Sequence, residues 1–148
     1  MRDDARVSIE TISDSVDLEG IRSMLVETDV RYAVVFGSYA TGSETSASEL
    51  DVCVRFTDEC SRRERFRQRN RIDSRLQSYA EPFVDVSDLE GLPDTVALNA
   101  LRDGILLYGD RALKTADERR LERRVEAASE QREQQRREFI DRLAEGNI

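Results

Sequence analysis

Two apolar runs joined by one short polar loop constrain this chain more than any other feature. The first, Val34-Val35-Phe36, ends at Gly37-Ser38; after ten loop residues the second opens as Glu49-Leu50-Asp51-Val52-Cys53-Val54. Both runs have the length and β-branched content of buried strands. Residues i and i+2 of a strand share a face, so Glu49 and Asp51 should project side by side next to the Gly-Ser turn. Carboxylates held that close repel each other unless a cation lies between them. Gly37 lets the backbone approach a ligand, and Ser38 offers a hydroxyl and an N–H. The bland alternatives are an ordinary strand-to-helix turn and a solvent-facing strand edge. Cys53, next on the same face, breaks the polar alternation that an edge would continue. Metal-binding carboxylates beside a small-residue loop for phosphate are the minimum equipment for metal-assisted phosphoryl or nucleotidyl transfer.

The rest of the chain supplies elements to hold that pair. Residues 1–12 are polar apart from an alternation at Val7 and Ile9, and read as frayed or as an edge strand. Ser13 to Ser15 can start a helix whose stripe is Val16, Ile21, Met24 and Leu25. Ala33 to Phe36 and Leu50 to Phe56 read as strands, with Thr41 to Ser48 a loop or capped turn between them. Asp58 to Tyr79 reads as a long polar helix with Phe66, Ile72, Leu76 and Tyr79 as its apolar contacts. Pro82 ends it, and Phe83 to Val86 is a third strand carrying Asp85. Pro93 suits the first turn of a helix that stops at Gly104. Ile105 to Tyr108 is either a strand or a packed extension. Asp110 to Ala144 is a long charged helix. Strands separated by helices give an α/β (α+β) fold with a small mixed sheet, divided here into a core of residues 1–109 and a C-terminal charged helix, 110–148, with a possible role in partner binding.

Composition narrows the chemistry. At 148 residues the chain fits one domain. It has no apolar run of membrane-spanning length and no basic-then-apolar leader, which points to the cytoplasm. There is no histidine, so Ser-His and Cys-His nucleophilic mechanisms are excluded. The two cysteines, Cys53 and Cys60, lack metal-site spacing and read as free thiols. A net charge of −8 argues against direct nucleic-acid binding. Of 23 basic residues only Lys114 is a lysine, and this Arg-for-Lys, acid-rich usage points to a salt-adapted (halophile) cytoplasm or a GC-rich genome. Arg62, Arg63, Arg65, Arg67, Arg69, Arg71 and Arg75 surround most of their helix, which favours a solvated helix over a nucleic-acid face, although one or two could meet a triphosphate or an acidic partner. The terminal helix carries a seam at Leu121, Val125, Ala128, Phe139 and Leu143 that is polar at Arg132 and Gln135, so either one end meets a partner or the helix folds back on its own domain.

Apolar-Gly-Ser, a loop, then acid-x-acid between apolar residues resembles the nucleotidyltransferase superfamily of the DNA polymerase β type. The short length resembles its minimal nucleotidyltransferases (MNT proteins), many of which are antitoxins paired with a HEPN-domain toxin. Val84-Asp85-Val86 looks like that family's third-carboxylate strand, with Asp88 as a rival; the 98–108 segment looks like its following helix and apolar stretch, and Arg137-Glu138-Phe139-Ile140-Asp141 like its C-terminal segment. The resemblance covers residues 30 to 145. It implies a polymerase β-like fold. It also implies catalytic and metal-binding roles for Glu49, Asp51 and Asp85, with two Mg²⁺ ions, and binding of the ATP phosphates by Gly37 and Ser38. The implied reaction is AMP transfer to a tyrosine of a HEPN ribonuclease toxin within a hetero-oligomer. Glu49 departs from the family's usual Asp. Two other functions stay open: an antitoxin that neutralises by binding alone, and an adenylyltransferase acting on small molecules such as aminoglycosides.

Overall fold

The computed structural model describes residue 12 and residues 15–45 and 47–146. The alternation at Val7 and Ile9 lies outside them. In chain order the elements are α1 (Leu18–Val26), β1 (Val30–Phe36), α2 (Ser38–Thr41), β2 (Leu50–Phe56), α3 (Arg62–Leu76), β3 (Val84–Asp88), α4 (Asp94–Asp103), β4 (Ile105–Gly109) and α5 (Arg111–Ala144). Short 3₁₀ turns, Gln77–Tyr79 and Leu89–Gly91, follow α3 and β3.

Local chemistry fixes the helix starts. Asp17 accepts from the Gly20 N–H ahead of α1, so that helix begins after the Ser13–Ser15 position read from sequence. Ser61 and Glu64 form a reciprocal capping box, and α3 therefore starts at Arg62 rather than near Asp58. Asp110 caps α5 through the Leu113 N–H.

Among the described residues the sheet has four strands, in the order β3-β2-β1-β4. β1 runs antiparallel to both β2 and β4, and β2 runs parallel to β3. The segment Ile105–Tyr108, left open between strand and extension, is the fourth strand. The third strand is shifted toward its C-terminus, to Asp88, relative to the sequence reading.

Both faces of the sheet are covered. One face buries Ala33, Val35, Val52, Val54, Phe56 and Val86 against Ile21, Met24 and Leu25 of α1 and Ile72 and Leu76 of α3. The other buries Tyr32, Val34 and Cys53 against Ala97, Leu98 and Leu101 of α4 and Leu121 of α5. Cys53 and Cys60 are free and buried. Only the first third of α5 joins the core, through Lys114, Asp117 and Leu121, and every residue from Glu126 to Gly146 is exposed. Among the described residues, the start of α5 thus packs on its own domain and the rest of the helix is exposed. Among the described residues no helix is long and apolar enough to cross a membrane.

Candidate active site

Strand register assembles the site. Phe36 lies opposite Asp51 across the antiparallel β1–β2 pair, and Asp51 lies opposite Asp85 across the parallel β2–β3 pair. Glu49 sits one residue before β2 begins. Each of Glu49, Asp51 and Asp85 offers a carboxylate oxygen, and the three oxygens lie within 4.8 Å of one another. The spacing Glu49-x-Asp51 thus does bring two carboxylates together, and the third strand adds Asp85. The rival Asp88 is committed elsewhere. One of its oxygens accepts from Arg65 Nε at 2.8 Å and the other from the Glu90 N–H at 3.1 Å.

Three like charges at this separation disfavour full ionisation. Asp51 is the most enclosed of the three, and its carboxyl is pushed above the usual range by burial first and then by the charges of Asp85 and Glu49. Such a set of hard oxygen donors fits a hard divalent cation, which would relieve the repulsion. Softer ligands are lacking at this point: Cys53 is buried in the α4–α5 layer and the chain has no histidine.

Gly37 ends β1 with φ +76° and ψ −153°, a region that only glycine occupies at low cost. A Cβ at this position would collide with Asp51 Oδ2. Gly37 is therefore needed for the turn and also for room beside the central carboxylate. The following turn is short: α2 spans four residues, closed by Gly42 in the left-handed region. Ser38 opens it, and Thr41 Oγ1 donates back to the Ser38 carbonyl at 3.3 Å.

Two clefts open near these strands, one beside the Gly37-Ser38 turn and one reaching Asp85. One, of about 380 Å³, is lined by Gly37, Ser38 and Thr41 on one side and by Val96, Asn99 and Asp103 of α4 on the other. The second, of about 730 Å³, runs from Asp85 along β3 and is walled by Arg62, Arg65, Phe66 and Arg69 of α3. The arginine-rich helix is accordingly not uniformly solvated. Arg65 and Arg69 turn toward β3, where Arg69 Nη1 donates to the Val86 carbonyl at 2.5 Å, while Arg62, Arg63, Arg67, Arg71 and Arg75 are exposed. The i, i+4 spacing of Arg65 and Arg69 was the available signal for a shared face. Nothing in the sequence singles out Asn99 or Asp103, whose position depends on how α4 packs over β1.

Carboxylates on adjacent strands with a glycine-serine turn against them supply the groups that metal-assisted phosphoryl transfer uses. A family model described as "Polymerase beta, Nucleotidyltransferase" matches residues 19–112, which include all five of the residues Gly37, Ser38, Glu49, Asp51 and Asp85. The chain belongs to the polymerase beta nucleotidyltransferase family.

Solved structures repeat the fold of this nucleotidyltransferase. A toxin–antitoxin crystallised with AMP-PNP superposes at a TM-score of 0.59, with 18% identity over 87% of this chain and 99% of that one. The toxin–antitoxin MntA-HepT gives 0.53, with 16% identity over 86% and 97% of the two chains. A tri-AMPylated Shewanella oneidensis HEPN toxin in complex with its MNT antitoxin gives 0.50, with 16% identity over 86% and 98%. No curated protein matches the sequence.

Proposed function

We propose that this chain transfers AMP from ATP to a hydroxyl of a HEPN-type toxin protein and so acts as its antitoxin. The observation that carries the reading is the convergence of Glu49, Asp51 and Asp85 beside the Gly37-Ser38 turn. Family membership supports nucleotidyl transfer, and the fold shared with antitoxin complexes, one holding an ATP analogue and another an AMPylated toxin, supports the nucleotide and the partner.

In this mechanism Glu49, Asp51 and Asp85 hold divalent cations, Mg²⁺ in the cell. Bound there, the metal supplies Lewis-acid stabilisation of charge on the phosphoryl oxygens. Gly37 and Ser38 grip the outer phosphates through backbone N–H groups and the Ser38 hydroxyl, holding the α-phosphorus in line for attack. Asp85, which faces the larger cleft, orients the acceptor hydroxyl and takes its proton. The acceptor oxygen–phosphorus bond forms, the α–β phosphoanhydride bond breaks, and pyrophosphate leaves. The solvated half of α5 extends the partner-binding surface away from the site.

Co-expression with a HEPN partner, followed by intact-mass measurement of that partner, tests the reading. AMP-sized increments that vanish with Asp51→Ala are expected. A second reading rests on Glu49, whose extra methylene stands where the family usually has Asp: a stable complex with an unmodified partner would mean that the chain neutralises by binding alone.

A further inference from the structure

Among the described residues one edge of the sheet is β3, the strand that carries Asp85. In a strand, alternate residues turn their backbone groups to opposite edges. An edge strand ordinarily leaves its outward row to water, and such a strand frays. In this chain side chains of α3 and of Gln77, the first residue of the 3₁₀ turn after it, occupy that row. Gln77 pairs with the Val84 peptide in both directions, donating from Nε2 to the carbonyl at 2.7 Å and accepting the N–H at 2.9 Å. Its Nε2 also donates to the Asp73 carbonyl at 2.8 Å, which fixes the amide's orientation. Asp73 Oδ1 accepts the Val86 N–H at 3.0 Å, and Arg69 donates to the Val86 carbonyl. The four outward groups on either side of Asp85 are thus all taken by residues 69, 73 and 77, one helical turn apart.

We infer that Arg69, Asp73 and Gln77 are positioning residues for Asp85, holding the third carboxylate in register with Asp51. The inference rests on the metal-site reading above. Val84 and Val86 are already buried in the core, so the strand does not need these bonds merely to dock. What hydrophobic contact leaves undetermined is sliding and twisting at the edge, and metal-binding carboxylates are sensitive to small displacements of that kind.

The test is titration of the full chain with Mn²⁺, read by its electron paramagnetic resonance signal and so independent of turnover. An Asp73→Ala, Gln77→Ala double variant should bind Mn²⁺ about tenfold more weakly than wild type, the loss typical when supports of metal ligands are removed. Asp73→Asn keeps an oxygen for the Val86 N–H and should stay close to wild type. Ile72→Val loosens the same helix from the core while leaving the side-chain bonds of residues 69, 73 and 77 to β3 in place, and should leave Mn²⁺ affinity unchanged. Wild-type affinity in the double variant overturns the inference, as does an equal loss in Ile72→Val. A wild-type chain that takes up no Mn²⁺ overturns the metal-site reading itself, and this inference with it.

Discussion

At the scale of single residues the site is a problem in crowding, and Gly37 shows how little room there is. Its backbone lies in the glycine-only region and the space a Cβ would fill belongs to Asp51 Oδ2. Gly37→Ala should cost about 1–3 kcal/mol of stability from backbone strain. On the proposed function, by pushing the Asp51 carboxylate aside, it should also lower AMP transfer by about 100-fold, a loss out of proportion to the fold. Chemical denaturation and single-turnover transfer, measured on the same variant, separate the two effects. Asp51 supports a second expectation. Its carboxyl titrates above the usual range because of burial and the charges of Asp85 and Glu49. An acid raised in the folded state contributes stability at pH below its unfolded value near 4, and that contribution fades as pH rises through the elevated folded value. The metal-free chain should therefore lose stability on the alkaline side of pH 4, and divalent cations should restore it. Cation uptake just above that pH should release protons, detectable by calorimetry in buffers of different ionisation enthalpy, and Asp51→Asn should abolish the release. Glu49 and Asp51 were legible as a pair because strand period is a local signal, whereas Asp85 was joined to them by its apolar flanks together with the family resemblance, since its place beside Asp51 depends on β2–β3 register. The contact between Gly37 and Asp51 was not legible, because it depends on the register that sets Phe36 opposite Asp51.

At the scale of elements, one buried network joins α5 to the sheet. Asp117 Oδ2 accepts from Tyr32 Oη at 2.7 Å and from Arg55 Nε at 2.9 Å, and its other oxygen accepts from Arg120 at 3.0 Å. Arg55 and Asp117 are both almost fully buried. Burial pushes the Asp117 carboxyl up, but the hydrogen bonds from Tyr32, Arg55 and Arg120 outweigh it and hold the carboxyl below the usual range. Removing Asp117 leaves the buried Arg55 guanidinium with only the more exposed Asp58 and Glu90 as ion partners, and leaves Tyr32 Oη without its acceptor, so Asp117→Ala should cost about 3 kcal/mol in urea denaturation. The sign of the pH effect is opposite to that of Asp51. An acid lowered in the folded state stabilises above its unfolded value, near 4, and that stabilisation is lost as pH falls through the lower folded value. Wild type should therefore weaken below about pH 4 more than Asp117→Ala does. None of this network was readable beforehand. Arg55 sits within a strand-like alternation, and its partner lies 62 residues away. Helix boundaries were misread for a more local reason. Apolar periodicity reports which face is buried, whereas the start of α3 is decided by the Ser61–Glu64 capping box, within a run of polar residues that periodicity does not mark. The fourth strand stayed ambiguous in sequence because five residues are too few to separate strand from packed extension.

At the scale of the whole molecule, the long helix divides into a part that the fold explains and a part that it does not. α5 has 34 residues, and at about 1.5 Å per residue it is about 51 Å long. Its N-terminal part, up to Arg124, is tied down by Asp117, Leu121 and a salt bridge from Arg124 to Asp94 at 3.0 Å. From Glu126 onward its described residues are exposed, with Phe139, Ile140 and Leu143 each about half exposed. Ion pairs of Glu133 with Arg136 and Arg137 are the main local support, and exposed pairs of that kind contribute about 0.3–0.5 kcal/mol each. A solvated helical stretch of about 20 residues is marginal on propensity alone, so the isolated chain should open there far more often than in its core. On the proposed function the same stretch is what the partner covers. Hydrogen exchange of the free chain should accordingly show fast exchange from Glu126 to Gly146 and slow exchange in β1, β2 and α5 up to Leu121. On complex formation with the HEPN partner the fast segment should become protected, with Phe139, Ile140 and Leu143 at its centre. A truncation after Ala128 should keep the melting temperature and Mn²⁺ binding of the full chain while losing co-purification with the partner. Unchanged exchange in the complex, or a truncated chain that still holds its partner, would assign partner binding to the domain surface around the two clefts instead.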